Sequence, residues 1–291
     1  VCPELIAELE KEHERQNRKK RRPVTVAIDG KTIRSTARMK RYDSPLHIVS
    51  AYASELGITL AQSSVKDKSN EIPAVQELIK TLEIAGCMVV ADALNCQTGT
   101  AKAIRDAKAD YILCAKDNQP VLKKDIEEYV RDGRLRKSMD SFTKTEKGHG
   151  RLETRTAFTT NDVSWMPGGR EWPGLRCIGA IKTHFEYRDK VTEEWHYYIS
   201  SKELSAEDLL HHARMEWGVE AMHWLLDVRY GEDGFRAQNE NLQKNMNMSR
   251  KLALNIARIF RDRHCPKKPM SHVMFDCQMN PYHLLDVLGK N

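Results

Sequence analysis

The sequence predicts an α/β protein with a mixed sheet flanked by helices and an inserted, mainly antiparallel β subdomain. Two observations predict this class. In the first half, short apolar runs alternate with segments of helical periodicity, which is typical of strands and helices that share one layered core. From about residue 140 to residue 201, three strand-like runs follow one another without a helical segment between them. The 291 residues, 40% of them hydrophobic, are enough to bury a sizeable core.

Residues 23–139 are predicted to form the first part of the core. The run VTVAIDGKTIRST begins with a strand that ends at Asp29, and the runs LHIVSAYAS and ITLAQSSV continue it as an antiparallel meander. An amphipathic helix follows in EIPAVQELIKTLEIAG, and a second apolar strand, CMVVADA, reaches Asp92. A further helix, the strand DYILCAK and the helix PVLKKDIEEYVRD continue the alternation, which favours parallel strand pairing.

Residues 140–201 are predicted to form the β insertion, which leaves the core and returns to it before the last helices. Its strand-like runs are LETRTAFTT, LRCIGAIKTHFEYRD and EWHYYISS, and the segment MPGGREWPG between them is typical of a loop. Residues 202–263 predict two long helices, the first with a capping box at Ser205 and Asp208. Residues 264–291 are interpreted as a C-terminal tail.

Composition excludes several classes of protein. No apolar run reaches the roughly 18–20 residues of a membrane span, and no signal-peptide pattern opens the chain. The seven cysteines are scattered singly, which favours reduced thiols in a cytoplasmic protein over a disulfide framework. Because the first residue is Val1 and a helix-like segment follows at once, we expect the chain to be a fragment of a longer protein.

Residues 1–22 carry a concentration of positive charge. The run RQNRKKRRP places six cations between Arg15 and Arg22, while the net charge of the whole chain is only +6. A basic arm beside a folded domain is typical of contact with nucleic-acid phosphates, and a solvated helix end is the alternative interpretation.

The predicted helix over residues 205–230 carries an acidic residue at an unusual place. Trp217, Glu220 and Trp224 lie on one stripe of helical spacing, and the tryptophans predict that this stripe faces the core. A carboxylate there needs a cation or a metal to offset its lost hydration. A pairing with Arg214 or a core lysine is the alternative to a metal.

Three carboxylates are therefore candidates for one site. Asp29 and Asp92 follow apolar strands, and the ends of adjacent parallel strands are neighbours at one edge of a sheet. With Glu220 they would offer only oxygen ligands, which suit Mg²⁺ or Mn²⁺ better than Zn²⁺. Two such ions about 3.5–4 Å apart suit in-line attack at a phosphodiester. Lys31 and Arg34 would then meet the phosphates.

Other motifs carry less weight. The run DGKT lacks the glycine of a P-loop, since Thr25 stands five residues before Gly30. His212 and Glu216 have zinc-ligand spacing on a helix, but one such pair is more often an exposed face. A second cluster fits no standard zinc finger and consists of His264, Cys265, His272 and Cys277.

Five motifs together resemble a known family. They are AIDGKTIRST, VVADALNCQ, ADYILCAKDNQPVL, KGHGRLETR and WGVEAMHWLLDVRYGEDGFRAQNENLQKNMNMSRKLALNIAR. In this order, from Pro23 to Arg263, they are similar to the DDE transposases of the H-repeat-associated insertion-sequence group. The resemblance implies an RNase H-like core, a β-rich insertion before the final acidic helix, and divalent-metal-dependent DNA cleavage and strand transfer. It also implies that Asp29, Asp92 and Glu220 are the acidic triad.

The resemblance further implies residues and partners for DNA. The polar residues that match family motifs, and are expected to contact DNA, are Lys116, Asn118, Gln119, His149 and Arg151. Asn118 at a helix N-terminus is alternatively a cap. Trp165 and Trp172 either stack on an unpaired base or anchor a loop by packing. The expected partners are double-stranded DNA, as transposon ends and target, and a second copy of the chain on that DNA. The expected location is the bacterial nucleoid.

Two departures from the family pattern keep the activity open. The chain has Glu216-Trp217 and Glu220-Ala221 where such proteins often have His-Trp and Glu-Asn, so Glu216 adds a negative charge one turn before Glu220. Three functions from different classes remain: a DDE transposase or its catalytic fragment, an RNase H-like nuclease without strand transfer, and an inactive DNA-binding remnant. The first two use the same fold and metals.

Overall fold

The computed structural model describes residues 22–37, 45–65, 70–148, 151–187, 190–237 and 239–287. Their nine strands form one mixed sheet in the order β3-β2-β1-β4-β5-β9-β8-β7-β6. The strands are β1 (Thr25–Thr32), β2 (His47–Ala53), β3 (Ile58–Val65), β4 (Met88–Ala91), β5 (Asp110–Ala115), β6 (Asp140–Gly148), β7 (Arg151–Thr160), β8 (Cys177–Tyr187) and β9 (Lys190–Ser200). The α-helices are α1 (Arg34–Ala37), α2 (Glu71–Lys80), α3 (Thr98–Asp106), α4 (Pro120–Arg131), α5 (Gly133–Ser138), α6 (Ala206–Met215), α7 (Trp217–Tyr230), α8 (Glu240–His264), α9 (Met270–Met279) and α10 (Tyr282–Val287).

Both faces of the central strands are covered. Alternate residues of β4 enter different apolar clusters: Val89 packs with side chains of α2, α3 and α4, whereas Val90 packs with those of α6. On β1, Ile28 belongs to the first of these clusters and Ala27 packs against α7. Burial on both faces explains why these strands are continuous apolar runs and not alternating ones. The predicted α/β class and the mixed sheet flanked by helices are confirmed.

The pairing of the first strands agrees with the sequence. β1 pairs antiparallel with β2 and parallel with β4, in a register that sets Ile28 beside Ala91. Asp29 and Asp92 therefore each follow a paired position on neighbouring parallel strands. However, β1 does not end at Asp29, because it continues to Thr32 along β2. Asp29 is the residue at which β1 loses its parallel partner.

The segment over residues 140–201 is antiparallel, as predicted, but it does not form a separate sheet. β9 pairs antiparallel with β5, from Ile112 opposite Ser200 to Ala115 opposite Tyr197, so β6–β9 extend the main sheet. The open edge of β5 would otherwise leave its backbone groups without partners. The run DSFTKTEKG is a further strand, β6, that the sequence analysis missed because it is almost entirely polar.

The predicted helix over residues 205–230 is two helices, α6 and α7, separated at Glu216. Ser205 caps the first, as its hydroxyl accepts a hydrogen bond from the backbone N–H of Asp208. The prediction that this stripe faces the core is wrong, because the side chains of Trp217 and Trp224 are 47% and 56% exposed. Trp217, Glu220 and Trp224 all lie within α7 and share one face, as their spacing predicts, but the other face is the one that packs against the sheet. The buried side of α7 consists of Val219, Met222, His223 and Leu226.

The region predicted as a tail contains α9 and α10, and these pack on α8 around Phe260 and Val273. Cys277 is buried in the same apolar cluster. The group of metal ligands found among the described residues does not include His264, Cys265, His272 or Cys277. No helix in the described segments has both the length and the apolar character needed to cross a membrane.

Candidate active site

A cavity of about 330 Å³ opens where β1 and β4 meet the junction of α6 and α7. Its acidic lining residues are Asp29, Asp92, Glu153, Glu194, Glu216 and Glu220. The sheet contributes the two aspartates, because each follows the last parallel pair of β1 and β4, Ile28 opposite Ala91. The α6–α7 junction contributes Glu216 and Glu220, and the strands β7 and β9 contribute Glu153 and Glu194. The structure thus brings all three predicted carboxylates to one cavity and adds three further acidic residues.

Asp29 is half-buried and lies against α7. Its Oδ2 is 3.4 Å from Nε2 of His223. Both ring nitrogens of His223 are buried, and no residue in the described segments forms a hydrogen bond with either of them. A buried polar side chain without a hydrogen bond points to a missing partner such as water, an ion or a substrate group. Sequence reasoning missed His223, although it stands one turn after Val219 on the buried side of α7.

Asp92 caps the short 3₁₀ helix Ala93–Asn95. Its carboxylate accepts hydrogen bonds from the backbone N–H and the side-chain amide of Asn95, at 3.2 and 3.0 Å. Burial raises the pKa of Asp92, the bonds from Asn95 oppose that rise, and the charges of Glu71 and Asp29 add to it. The protein therefore leaves the negative charge of this site incompletely compensated.

Glu216 has the most perturbed carboxyl group of the site. Burial, followed by the charges of Asp92 and Asp29, raises its pKa to about 7, while Lys116 acts in the opposite direction. The helix break at this residue turns its side chain into the cavity. The sequence analysis noted Glu216 only as a departure from a family pattern, and the structure makes it part of the acidic lining.

Glu220 is exposed on α7 and lines the same cavity. The alternative pairings considered from the sequence are not those of the structure. Arg214 forms an ion pair with Glu146 at 2.5 Å, and the buried Lys251 donates to Ser50 and Gln62. The metal-ligand roles of Asp29, Asp92 and Glu220 stay predictions.

The predicted phosphate contacts differ in exposure. The ammonium of Lys31 bridges Asp227 at 2.5 Å and Glu232 at 2.7 Å and is mostly buried. It therefore ties β1 to the end of α7 and has little capacity left for a phosphate. The side chain of Arg34 is 82% exposed, and Asp233 is its distant partner at 3.8 Å.

The loop before α4 holds the other predicted contacts. Lys116 is exposed on the cavity wall. Asn118 donates to the carbonyl of Ala93 at 2.6 Å, and Gln119 donates to that of Cys96 at 3.0 Å. Neither side chain caps α4, so the capping interpretation of Asn118 is wrong. Both tie this loop to the segment that follows Asp92.

Three predicted DNA contacts lie at the limits of the described chain. His149, the side chain of Arg151 and the basic arm through residue 21 lie outside the described residues. Arg22, the last cation of the arm, pairs with Asp208 at 2.7 Å and with Glu207 at 2.9 Å on α6.

Two arginines that the sequence analysis did not assign to DNA contact also line the cavity. Arg155 on β7 and Arg214 on α6 have their guanidinium carbons 4.9 and 5.5 Å from the ring centroid of Trp217. The tryptophans proposed for base stacking are elsewhere. Trp165 stacks on Tyr129 at 4.6 Å, and Trp172 is 5% exposed in the core, so both are packing anchors.

A second group with metal-ligand chemistry consists of Glu55, His211 and His212. Each of these side chains already has a protein partner: Glu55 accepts from the backbone N–H of Thr25 at 2.7 Å and lies 3.3 Å from His211, and His212 lies 2.7 Å from the Thr25 hydroxyl. Adjacent residues of a helix also point in different directions. The interpretation of His212 and Glu216 as an exposed helix face is wrong for His212, which is buried against Thr25 of β1.

Comparison with known proteins agrees with this arrangement. The family model described as "Transposase DDE domain" matches residues 20–256. The protein named "Putative transposase YncI" from Escherichia coli O157:H7 is 36% identical over 244 residues, which cover 81% of this chain and 62% of that protein. "H repeat-associated putative transposase YhhI" from Escherichia coli (strain K12) is 33% identical over 238 residues, covering 79% and 63%. The chain thus spans less than two thirds of the length of these relatives.

A solved structure shares the fold. A chain from the cryo-EM structure of the piggyBac transposase synaptic complex with hairpin DNA matches with a TM-score of 0.52 at 11% identity, covering 92% of this chain and 54% of that one. The likeness shows the RNase H-like fold that the sequence motifs predicted. Together with the family match over most of its length, it means that the chain belongs to the transposase DDE domain family.

Proposed function

We propose that this chain cleaves DNA and joins DNA strands at insertion-sequence ends, with two divalent cations, Mg²⁺ or Mn²⁺, bound by Asp29, Asp92 and Glu220. One observation carries the proposal. Asp29 and Asp92, set side by side by β1 and β4, line a single cavity with glutamates from the α6–α7 junction. Such convergence of carboxylates from a sheet edge and a helix is suited to phosphodiester chemistry.

The chemistry of the donors fits these cations. The proposed ligand atoms are carboxylate oxygens. Mg²⁺ and Mn²⁺ prefer oxygen ligands, whereas zinc sites use mainly nitrogen and sulfur. Burial, and after it the charges of neighbouring carboxylates, raises the pKa values of Asp92 and Glu216, so a cation bound beside them would favour their charged forms. When bound, the two ions would polarise the phosphodiester and activate a water or a 3′-hydroxyl.

The remaining lining of the cavity supports a DNA substrate. Lys116 supplies exposed positive charge beside the carboxylates and would hold a phosphate next to the reacting one. Arg155 and Arg214 line the same cavity, but Arg155 is buried in ion pairs with Glu146 and Glu153, and Arg214 pairs with Glu146. Arg34 extends this surface, and the basic arm up to Arg22 would add sequence-independent affinity. We retain Asn118, Gln119, His149 and Arg151 as proposed DNA contacts. The main role that we assign to Lys31 is in the ion pairs that join β1 to the end of α7, and contact with a phosphate is secondary for this residue.

Double-stranded DNA, as transposon ends and as target, is the proposed partner, with a second copy of the chain assembling on it. The proposed location is the nucleoid of the bacterial cytoplasm. Each of these proposals concerns the whole transposase, of which this chain spans a part.

The test uses three single variants, Asp29→Asn, Asp92→Asn and Glu220→Gln. Each should abolish cleavage of a plasmid carrying a donor end in Mn²⁺ while DNA binding persists, because the amide keeps the shape and removes the charged ligand. Asp106→Asn, on an exposed ion pair of α3, is the matched control and should cleave like the wild type.

The products separate the functions. Nicks together with joined strands support the transposase, and nicks without joined strands favour a nuclease on the same core. DNA binding without nicks favours an inactive remnant. Cleavage at the wild-type rate by Asp29→Asn would contradict the assignment of the site.

A further inference from the structure

A row of buried polar side chains lies behind Asp92. Asn95 is completely buried and donates two hydrogen bonds to Asp92, one from its backbone N–H and one from its side-chain amide. Both bonds end on the same atom, Oδ1. In the described segments, no hydrogen bond reaches Oδ2, which is therefore the oxygen that Asp92 presents to a ligand.

The amide of Asn95 is shared between two carboxylates. Its Nδ2 also donates to Oε1 of Glu71, at 3.1 Å. An amide NH₂ has two hydrogens, so one is directed to Asp92 and the other to Glu71. This double donation fixes the orientation of the amide, because its oxygen cannot donate to either carboxylate.

Glu71 is held in turn by a histidine. Glu71, the first residue of α2, is 2% exposed, and its Oε2 lies 2.7 Å from Nε2 of His47 on β2, which is also 2% exposed. The other ring nitrogen of His47 lies 3.0 Å from the hydroxyl of Thr32 on β1. A buried carboxylate is tolerated only when it is paired and hydrogen-bonded, and here both of its oxygens have a partner.

Gly30 provides the space for this pair. A Cβ at position 30 would stand 2.4 Å from Nε2 of His47 and 2.7 Å from Oε2 of Glu71. Any side chain there would displace the hydrogen-bonded His47 and Glu71 side chains. The glycine beside Asp29 thus has a packing role in this site, and the P-loop that its sequence context first suggested plays no part.

We propose that Asn95, Glu71 and His47 are positioning residues, which hold Oδ1 of Asp92 so that Oδ2 faces the divalent cation. The inference rests on the proposed function. The three residues come from the 3₁₀ helix, α2 and β2, so the aspartate is braced by elements on both sides of β1. None of them touches the DNA or the ion, and each acts through Asp92.

The experiment compares Mn²⁺ affinity, measured by calorimetry on the DNA-free full chain, with plasmid nicking and DNA affinity. Asn95→Leu should weaken Mn²⁺ binding by about 10- to 100-fold, the range for residues that orient metal ligands, and change DNA affinity by less than about threefold. Asn255→Leu is the matched control, because this buried asparagine bonds Thr59 of β3 and has no contact with Asp92. It should lower the melting temperature and leave Mn²⁺ binding intact.

A conservative exchange adds a readout that loss of stability would not give. Glu71→Gln should keep Mn²⁺ affinity within about threefold of the wild type, because its amide oxygen still accepts from Asn95 while His47 changes tautomer to accept from the new amide. Glu71→Leu should weaken Mn²⁺ binding about tenfold or more, because the bond to Asn95 is lost.

Two results would overturn the inference: Mn²⁺ binding by Asn95→Leu equal to the wild type, or equal losses in Glu71→Gln and Glu71→Leu. Asp92→Asn, measured in parallel, distinguishes the two levels of the argument. If Asp92→Asn loses Mn²⁺ binding and Asn95→Leu does not, only the positioning role fails. If Asp92→Asn also binds Mn²⁺ and nicks DNA like the wild type, the proposed function itself fails.

Discussion

Replacing Glu216 by glutamine should make the metal-free protein more stable, and increasingly so as the pH rises. In the folded chain the pKa of Glu216 is raised from 4.5 to about 7 by burial and by the charges of Asp92 and Asp29. The folded state therefore binds a proton that the unfolded state has already released. Between pH 4.5 and pH 7 this difference lowers the stability of the wild type as the pH rises.

The magnitude follows from the size of the rise. At about 1.4 kcal/mol per pH unit, the change from 4.5 to about 7 corresponds to about 3 kcal/mol of lost stability above pH 7. Roughly 2 kcal/mol of this is expected between pH 5 and pH 8. His212, whose pKa burial lowers to about 4, changes stability in the opposite direction over the acid part of that range. Its contribution cancels when Glu216→Gln is compared with the wild type at each pH.

The assay is urea unfolding with EDTA at pH 5 and pH 8. The stability difference between Glu216→Gln and the wild type should grow by about 2 kcal/mol from the lower pH to the higher. Glu83→Gln, on an exposed glutamate, is the matched control and should show no such growth. Any constant cost of burying the new amide appears at both pH values and does not affect the comparison. Growth of less than about 0.5 kcal/mol would refute the raised pKa of Glu216 that burial and the two aspartates are argued to cause.

Two further predictions concern stability and reactivity. Gly30→Ala should destabilise the fold by at least about 2 kcal/mol in urea unfolding, because its Cβ would collide with the buried His47–Glu71 pair. Gly133→Ala, whose Cβ meets no atom within 4 Å, should not be destabilised, and equal stability of the two variants would contradict the packing role of Gly30. Burial raises the pKa of Cys96, Cys114 and Cys177 to about 12, so iodoacetamide at pH 8 should label these thiols only after unfolding. Mass spectrometry of the labelled peptides measures this, and rapid labelling of all three in the native protein would show that this part of the core opens readily.

The sequence alone was enough to predict the first half of the fold. The strands that carry Asp29 and Asp92 are short, apolar and separated by a helix, and parallel pairing of such strands brings the two residues that follow them together. This is local information, since periodicity and chain order determine it. The five motifs added the family and the RNase H-like fold, which the comparisons confirm.

The errors arose where the answer depends on a distant partner. The strand periodicity of residues 190–200 is the same whether β9 pairs in a separate sheet or with β5, and only the tertiary structure decides that it joins β5. Likewise, residue spacing places Trp217, Glu220 and Trp224 on one face of α7, but only the packing of α7 against the sheet decides that this face is the exposed one.

Local sequence patterns could not predict the residues that support Asp92, for the same reason. His47, Glu71 and Asn95 are 24 residues apart at each step, and each is unremarkable in its own segment. They come together because α2 packs against the sheet and because Gly30, which has no side chain, leaves space for His47 and Glu71. Sequence therefore determined which carboxylates stand at the sheet edge. Tertiary structure decided what surrounds them, because burial and long-range hydrogen bonds exist only once the separate elements have packed.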